Sequence, residues 1–309
     1  MKPVLGVVVL LSGLIASACT PTASVPEIAP RRALGVAVLD GRVFVVGGWS
    51  GTTTQLDTVE ILSDGRWIAG PSLSVARSQH GLVSAAGRLW VLGGWSATEG
   101  LVSEVEVLGP TDSVWTTPIH LPTPRREPGV AVWDGRIVVA GGFDGQSDAE
   151  LDGYRDTVEA YDLETGTWAT LARLNEPRRG LALVATSAGL YAIGGYTADN
   201  AYSATVERYD PAAERWRIVS WPIAPRTWAA IAVVADDVLI IGGYNNDGFL
   251  DLVERVDPLT GTVCRPPPLD RARAWLAAVP VDDRVLTLGG EEPTGIGGAT
   301  EWIETTCRP

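Results

Sequence analysis

Aromatic residues and arginines recur at two fixed positions of this sequence. Six residues each stand directly after a pair of glycines: Trp49, Trp95, Phe143, Tyr196, Tyr244 and Glu291. Six others each stand directly after a recurring arginine: Arg32, Ser78, Arg126, Arg179, Thr227 and Ala274. Aromatic faces suit sugar rings or apolar side chains, and arginine forks suit carboxylate or phosphate groups. These residue types predict a ligand-binding site, provided that the fold brings the two series together.

Residues for acid–base or nucleophilic catalysis are scarce, and the chain has two histidines. His80 has the strand parity of apolar residues such as Leu34, which favours a packed side chain. His120 stands in a polar, proline-rich connection, where we expect it to be solvated. The sequence has no glycine-rich phosphate loop before a helix, no nucleophile elbow and no Cys/His zinc spacing. We therefore predict no cofactor and no catalytic residue, with Glu291 as the acid/base candidate if the protein is an enzyme.

A repeat of about 48 residues positions both series. Glycine doublets end six apolar strands: Gly47-Gly48, Gly93-Gly94, Gly141-Gly142, Gly194-Gly195, Gly242-Gly243 and Gly289-Gly290. A repeat arginine precedes each doublet by 16 residues: Arg31, Arg77, Arg125, Arg178, Arg226 and Arg273. A glutamate follows each doublet, and a tryptophan follows in four repeats: Trp67, Trp115, Trp168 and Trp216. Six units of four short strands each predict a β-propeller, in which every blade packs on its neighbours.

These residues resemble the kelch repeat, whose pattern is nearly intact in the fourth unit. It runs there as Arg178, Gly194-Gly195, Glu207, Tyr209-Asp210 and Trp216. The resemblance covers essentially the whole mature chain. It implies an all-β, six-bladed kelch-type propeller with four antiparallel strands per blade, over residues 31–309. We assign the recurring Arg, Glu and Trp side chains to packing. We expect residues 19–30 to tether the chain and to continue the outer strand of the last blade, which joins the first blade to the last.

The predicted strand order places both series at one opening. Strand one leaves the arginine end of a blade, strand two returns to it at the glycine doublet, and strands three and four repeat this course. Arg32, Arg126 and Arg179 approach the axis from different blades, and they focus positive potential there unless Glu127 or Glu291 compensates them. We therefore predict a ligand with an acidic group, whose apolar contact comes from the aromatic residues. The alternative is that the aromatics cap the core between blades.

Two function classes remain open. The first is a binding module that recognises a carbohydrate or protein ligand at this mouth, which is how kelch proteins in general use these loops. The second is a sugar-active enzyme, because bacterial sialic-acid mutarotases are exported kelch propellers of similar size and arginines suit a carboxylated sugar. The fold alone does not separate the two classes. We favour the binding module.

The first 18 residues have the features of an export signal. Lys2 supplies the charged start, residues 4–15 the apolar stretch and residues 16–18 the small-residue cleavage site. Cys19 follows at the position of the lipidated first residue of a bacterial lipoprotein. We therefore predict an exported cell-envelope lipoprotein, periplasmic or on the outer cell surface. The alternative is ordinary signal-peptide cleavage and secretion.

Net charge and cysteine count narrow the partners. The net charge is −13 and no basic run occurs, which argues against nucleic acid because its binding needs clustered Lys and Arg. We expect a monomer that contacts the membrane only through its lipid anchor. With Cys19 lipidated, Cys264 and Cys307 remain, and they can pair as a disulfide in an oxidising compartment.

The third repeat carries a longer acidic loop. Asp148, Glu150, Asp152 and Asp156 supply oxygens at the spacing of a twelve-residue calcium loop that ends at Glu159. Against calcium, the last glutamate recurs in every repeat, no flanking helices are expected, and an arginine replaces the usual apolar residue. A solvated acidic loop is the alternative interpretation, and we predict no other metal site.

Overall fold

The computed structural model describes residues 25–51, 54–145 and 150–307. The predicted export signal and Cys19 lie outside these residues. The described chain is an all-β, six-bladed propeller, in which short antiparallel sheets follow one another along the sequence. Its regular structure includes a single turn of 3-10 helix at Leu151–Gly153. Within the described residues, no helix is long and apolar enough to cross a membrane.

Five blades have four strands each within the described residues, and each blade begins with the strand next to the central channel. Blade 1 consists of Gly35–Leu39, Arg42–Val46, Val59–Ser63 and Arg66–Ala69. Blade 2 consists of Gly81–Ala85, Arg88–Leu92, Glu104–Leu108 and Thr116–His120. Blade 3 consists of Gly129–Trp133, Arg136–Ala140, Val158–Asp162 and Thr167–Leu171. Blade 4 consists of Ala182–Thr186, Gly189–Ile193, Val206–Asp210 and Arg215–Val219. Blade 5 consists of Ala230–Val234, Asp237–Ile241, Val253–Val256 and Val263–Cys264.

Blade 6 has three strands in the part of the chain that is described: Ala277–Val281, Arg284–Leu288 and Thr300–Ile303. Beyond this blade the chain turns toward blade 5, where the Arg255 guanidinium donates to the Thr305 carbonyl over 2.8 Å. Cys307 lies beside Cys264 of blade 5, with the two Cα atoms 6.0 Å apart, a separation that a disulfide can span. Residues 305–307 therefore lie against the outer strands of blade 5.

Residues 25–31 contact both the last blade and the first. The Ile28 amide donates to the Gly298 carbonyl of blade 6 over 3.0 Å. The Trp67 indole of blade 1 donates to the Pro26 carbonyl over 2.7 Å. Ile28 also packs in an apolar cluster whose other members come from blades 6 and 1.

The hydrophobic core lies between the blades. Each of six apolar clusters in the described residues joins the facing sheets of two neighbouring blades. The cluster between blades 1 and 2, for example, contains Phe44 and Ile61 from one sheet and Leu89 and Val91 from the next. Because every blade contributes both faces to such clusters, no blade has a core of its own.

Each glycine doublet lies against the next blade. Gly47 and Gly48 have φ values of 59° and 103°, a region that residues with a side chain rarely adopt. The Gly48 amide donates to the Arg77 carbonyl over 2.9 Å, and a Cβ atom on Gly47 would stand 2.7 Å from the same oxygen. At the closure of the propeller, Gly290 donates to the Arg31 carbonyl over 2.9 Å. The doublets therefore set the close approach of neighbouring blades.

The repeat arginines are buried and connect the strands of each blade. Arg178 donates through Nη1 to the carbonyls of Gly194 and Thr205, each over 2.9 Å, and through Nη2 to Glu207 over 2.7 Å. Neither side chain of this ion pair is exposed. The other blades contain the same pair: Arg31–Glu60, Arg77–Glu106, Arg125–Glu159, Arg226–Glu254 and Arg273–Glu301. These side chains stabilise the fold, which is the role that the repeat indicates.

Candidate functional site

A closed circle of hydrogen bonds, here called the inner ring, surrounds the mouth of the propeller. It consists of the residues two positions after each repeat arginine: Ala33, Gln79, Glu127, Gly180, Trp228 and Trp275. Their φ values all lie between 50° and 59°. Each amide donates to the carbonyl of the same position in the preceding blade over 2.8–3.1 Å, and Ala33 closes the circle by donating to Trp275. These hydrogen bonds hold a backbone conformation that residues with a side chain disfavour.

The two series predicted from the sequence lie side by side at this mouth. Six β-bridges pair the residue after a repeat arginine with the residue after the doublet of the same blade: Arg32–Trp49, Ser78–Trp95, Arg126–Phe143, Arg179–Tyr196, Thr227–Tyr244 and Ala274–Glu291. Strand order is sufficient to produce this neighbourhood, because the first and second strands of every blade begin and end at the same side.

The mouth arginines stack on aromatic rings. Distances from the guanidinium carbon to the ring centroid are 4.5 Å for Arg32–Trp49, 4.6 Å for Arg32–Trp275, 5.3 Å for Arg126–Trp95, and 5.0 Å for both Arg126–Phe143 and Arg179–Phe143. Arg32 forms an ion pair with Glu291, and Arg179 Nε lies 3.8 Å from Glu127 Oε2. The mouth is therefore less positive than three uncompensated arginines would make it.

Glu127 holds one side of the inner ring. Its carboxylate accepts a hydrogen bond of 2.6 Å from Gln79 Nε2 and one of 2.9 Å from the Trp228 indole. The Trp228 ring in turn stacks on Trp275, with centroids 3.8 Å apart and planes 20° apart. A buried carboxylate is unfavourable without donors, so Glu127 and its neighbours fix one another's positions.

A cavity of about 250 Å³, here called the mouth cavity, opens beside the inner ring. The side chains that give it its chemistry are Arg32, Trp49, Gln79, Trp95, Arg126 and Trp275. Gln55 and Ser78 also line it, so three indoles, two guanidinium groups, two amides and one hydroxyl border one concave space. Apolar faces with a few placed polar groups are the usual composition of a small-molecule site.

The predicted site residues differ in exposure. The partly exposed ones are Arg32, Trp49, Trp95, Arg126, Tyr196, Tyr244 and Glu291. Phe143 is fully buried, and its ring packs edge-on against Tyr154 with centroids 5.1 Å apart. Ser78, Arg179 and Thr227 are buried as well. Phe143 therefore has no exposed ring face to offer a ligand.

Several mouth residues were not predicted as site residues. Gln79, Trp228 and Trp275 belong to the inner ring, and their signal in the sequence is their fixed place two residues after a repeat arginine. Tyr202 contacts Tyr196 with ring centroids 5.0 Å apart, and it is also the β-bridge partner of Tyr196. The residues at this position in the other blades are Gln55, Leu101, Tyr154, Phe249 and Ile296.

The two histidines lie away from the mouth cavity. His80 is buried beneath the inner ring, beside a second cavity of about 140 Å³. Burial, together with the positive charge of Arg77, lowers the pKa of His80 to about 3, so its imidazole is neutral at physiological pH. His120 is exposed, with Nδ1 3.3 Å from the Ser103 hydroxyl. These positions agree with a packed His80 and a solvated His120.

The acidic loop of blade 3 contacts arginines. The Asp156 carboxylate accepts a hydrogen bond of 2.6 Å from Arg173, and Glu159 accepts one of 3.0 Å from Arg125. Across residues 25–51, 54–145 and 150–307, no three His, Cys, Asp or Glu side chains are arranged to hold a metal ion. Asp148, the first residue of the calcium candidate, lies outside these ranges, so the calcium loop stays a prediction.

Comparison with known proteins agrees with this architecture. The sequence matches the Kelch motif family over residues 30–74, 124–175, 177–220 and 225–269, which is more than half of the chain. It is 34% identical over 89 residues to Kelch-like protein 28 of Homo sapiens, a match that covers 28% of this chain and 16% of that protein. It is 32% identical over 84 residues to Kelch-like protein 41b of Danio rerio, covering 27% of this chain and 13% of that protein. The chain thus spans only a small part of the length of these relatives.

A solved structure has the same fold. The protein YjhT superposes with a TM-score of 0.77 at 16% sequence identity, over 92% of this chain and 98% of that one. The buried Arg–Glu pairs, the glycine doublets and the matches to the Kelch motif together show that this chain belongs to the kelch-repeat family.

Proposed function

We propose that the mouth of this kelch propeller binds a carbohydrate that carries a carboxylate. The observation that carries the proposal is the mouth cavity, where Trp49, Trp95 and Trp275 border the guanidinium groups of Arg32 and Arg126. An indole face suits the apolar face of a sugar ring, and a guanidinium fork suits a carboxylate. The role as a binding module follows from the family, whereas the ligand class rests on this cavity.

The aromatic stacking of the arginines supports this assignment. Arg126 lies 5.3 Å from the Trp95 centroid and 5.0 Å from that of Phe143, so the two rings limit the orientations of its guanidinium group. A fork that is already held in place loses little conformational freedom when a carboxylate binds. Arg32 is held in the same way between Trp49 and Trp275.

The test is a calorimetric titration of the purified protein with sialic, glucuronic and galacturonic acids and with neutral glucose and galactose. We expect binding of an acidic sugar that weakens as salt is added, and its loss in Arg126→Ala. Arg215→Ala is the matched control, because Arg215 is exposed on the outer strand of blade 4. Affinity that does not change with salt and does not differ between acidic and neutral sugars would contradict the proposal. Equal affinity of Arg126→Ala and the wild-type protein would also contradict it.

A sugar-active enzyme is less well supported. Glu291, the acid/base candidate, forms an ion pair with Arg32. The Arg32 guanidinium already occupies this carboxylate, which leaves it less available to a sugar. An anomerisation assay on any sugar that binds separates the two functions, and catalysis that disappears in Glu291→Gln would establish the enzyme.

We propose further that the chain is exported, that it is anchored by lipid at Cys19, and that the disulfide between Cys264 and Cys307 forms in that compartment. Labelling of cells with a tagged fatty acid should mark the wild-type protein and not Cys19→Ser. Thiol titration of the denatured, unreduced protein should find no reactive Cys264 or Cys307. Unlabelled wild-type protein would favour the secreted form instead.

A further inference from the structure

We propose that the mouth binds an extended oligosaccharide chain, not a single sugar, and that rings of blades 4 to 6 form its additional subsites. These rings, here called the aromatic row, are Trp275, Trp228, Tyr244, Tyr202 and Tyr196, and all of them are partly exposed. The inference rests on the proposed carbohydrate function and extends it from one cavity to a chain of sites.

The aromatic row is continuous. Consecutive ring centroids are separated by 3.8 Å for Trp275–Trp228, 6.2 Å for Trp228–Tyr244, 6.0 Å for Tyr244–Tyr202 and 5.0 Å for Tyr202–Tyr196. After the stacked tryptophan pair, neighbouring planes are inclined by 49° to 55°. Successive rings therefore present differently oriented faces, as a ligand whose units turn relative to one another requires.

The row continues the mouth cavity. Trp275 borders that cavity and also stacks on Trp228, the second ring of the row. A sugar bound between Arg32 and Arg126 therefore lies next to the start of the row. A second or third sugar unit attached to it meets Trp228 and then Tyr244.

The rings of the row do not serve the core. The apolar clusters that join the blades contain other aromatic residues, such as Tyr191 and Trp221 between blades 4 and 5. Among the described residues, none of the five rings of the row belongs to any of those clusters. Contiguous aromatic surface that is partly exposed and outside the core marks a binding surface more often than a packing device.

Polar side chains beside the row favour a ligand rich in hydroxyl groups. Exposed carboxylates and amides stand two to four residues after two of its tyrosines: Asp199 and Asn200 after Tyr196, and Asn246 and Asp247 after Tyr244. The Tyr196 hydroxyl donates to Asn200 Oδ1 over 3.3 Å. Such groups can accept from and donate to neighbouring hydroxyls of one sugar, while the adjacent ring contacts its apolar face.

The Tyr202 hydroxyl keeps its proton and can donate it in a hydrogen bond to a ligand. Burial raises the pKa of Tyr202, and the neighbouring Tyr196 and Tyr244 raise it further. The phenol therefore remains protonated across the neutral range. A row of phenols with amide and carboxylate neighbours offers both donors and acceptors, which an apolar peptide would leave unused.

The experiment measures how affinity depends on ligand length. The whole protein is tested on an array that carries acidic glycans of one to eight sugar units, their neutral counterparts and proline-rich peptides. We expect affinity to rise with each unit up to about four and then to level off. In a Tyr202→Ala/Tyr244→Ala variant, affinity for the longer glycans should fall by roughly tenfold or more, to the level of the shortest.

Controls separate this inference from the proposed function. Arg126→Ala should weaken glycans of every length, whereas the tyrosine variant should spare the monosaccharide. Tyr202→Phe/Tyr244→Phe should retain most of the increase in affinity with glycan length, because the aromatic rings remain. Equal binding of short and long glycans would overturn the extended chain and leave the cavity proposal intact. Binding of peptides alone, or of no glycan, would overturn both proposals.

Discussion

Replacing a repeat arginine should unfold the propeller, whereas replacing a mouth arginine should abolish ligand binding and leave the fold intact. The pair Arg178 and Arg126 tests this separation, because the two side chains are chemically identical and differ only in their surroundings. Arg178 donates to Gly194, Thr205 and Glu207, and none of its side chain is exposed. Arg126 is partly exposed and lies against aromatic rings.

The loss of unfolding free energy in Arg178→Ala can be estimated from the carboxylate that loses its partner. Glu207 then remains as a buried charge. It keeps two hydrogen bonds from Asn175, one of 2.8 Å from the backbone amide and one of 2.6 Å from Nδ2 of the side chain. Breaking a buried ion pair on one side costs about 3–5 kcal/mol. In a protein of this size, that loss corresponds to a melting temperature lower by roughly 5–8 °C. Arg126→Ala removes two cation–π contacts, each worth about 0.5–1 kcal/mol at a partly exposed site, so we expect a smaller loss of about 1–2 kcal/mol.

The assay is thermal and urea unfolding of both variants, followed by circular dichroism, with sugar binding measured in parallel. An Arg178→Met/Glu207→Gln variant is the internal control. It should be less destabilised than Arg178→Met alone, because the buried charge is gone. If Arg178→Ala and Arg126→Ala lost similar stability, or if Arg178→Ala cost less than about 1 kcal/mol, the structural role of the repeat arginines would be wrong.

Three further perturbations test other parts of the structure. The pKa of His80 is 6.5 in the unfolded chain and about 3 in the folded protein. Between these two values the unfolded chain binds more protons at His80, so this residue lowers the free energy of unfolding as the pH falls from 6.5 toward 3. His80→Leu should therefore flatten the pH dependence of urea unfolding, and an unchanged slope would refute the buried neutral imidazole. Reduction of the Cys264–Cys307 bond, which spans 43 residues, should cost up to about 4 kcal/mol in unfolding experiments, and an unchanged melting temperature would contradict it. Glu127→Ala should release Trp228 and alter the near-ultraviolet dichroism of the stacked indoles, whereas Glu127→Gln should preserve it; identical spectra would refute the positioning role.

The fold could be predicted because the same residues recur wherever the same contact is needed. The spacing of 16 residues between Arg178 and Gly194 is the length of the hairpin that brings the guanidinium group to that glycine carbonyl. One such spacing would be weak evidence. Because every blade makes this contact, the same spacing recurs in every repeat. The neighbourhood of Arg32 and Trp49 was predictable for the same reason, since strand order alone places both at the mouth.

The inner ring was harder to predict, because its six positions share a backbone conformation and no side-chain chemistry. Tryptophan has no intrinsic preference for positive φ, yet Trp228 and Trp275 adopt φ values of 54° and 50°. Their amides donate to the neighbouring blades, and those hydrogen bonds impose the conformation. Local propensity therefore carries no signal for the ring, and only the spacing from the repeat arginine does.

The charges at the mouth show what a sequence can and cannot indicate about electrostatics. Arg32 and Glu291 are 259 residues apart and meet only because the propeller closes. The sequence identified Glu291 as a possible partner for the mouth arginines, but only the closed ring of blades brings it to Arg32. The ion pair with Glu291 reduces the demand for an acidic ligand at blade 1.

The positions that vary between blades divide the mouth into two unlike halves. Arg32 and Arg126 border the mouth cavity on one side, and Tyr196, Tyr202 and Tyr244 extend from the stacked tryptophans on the other. A sixfold scaffold would by itself offer six equivalent binding sites, so a ligand could bind in any of six rotations. The arginine side and the tyrosine side remove that degeneracy. An oligosaccharide with an acidic end therefore has one favoured direction across the mouth, and the same chain with its acid group at the opposite end should bind more weakly.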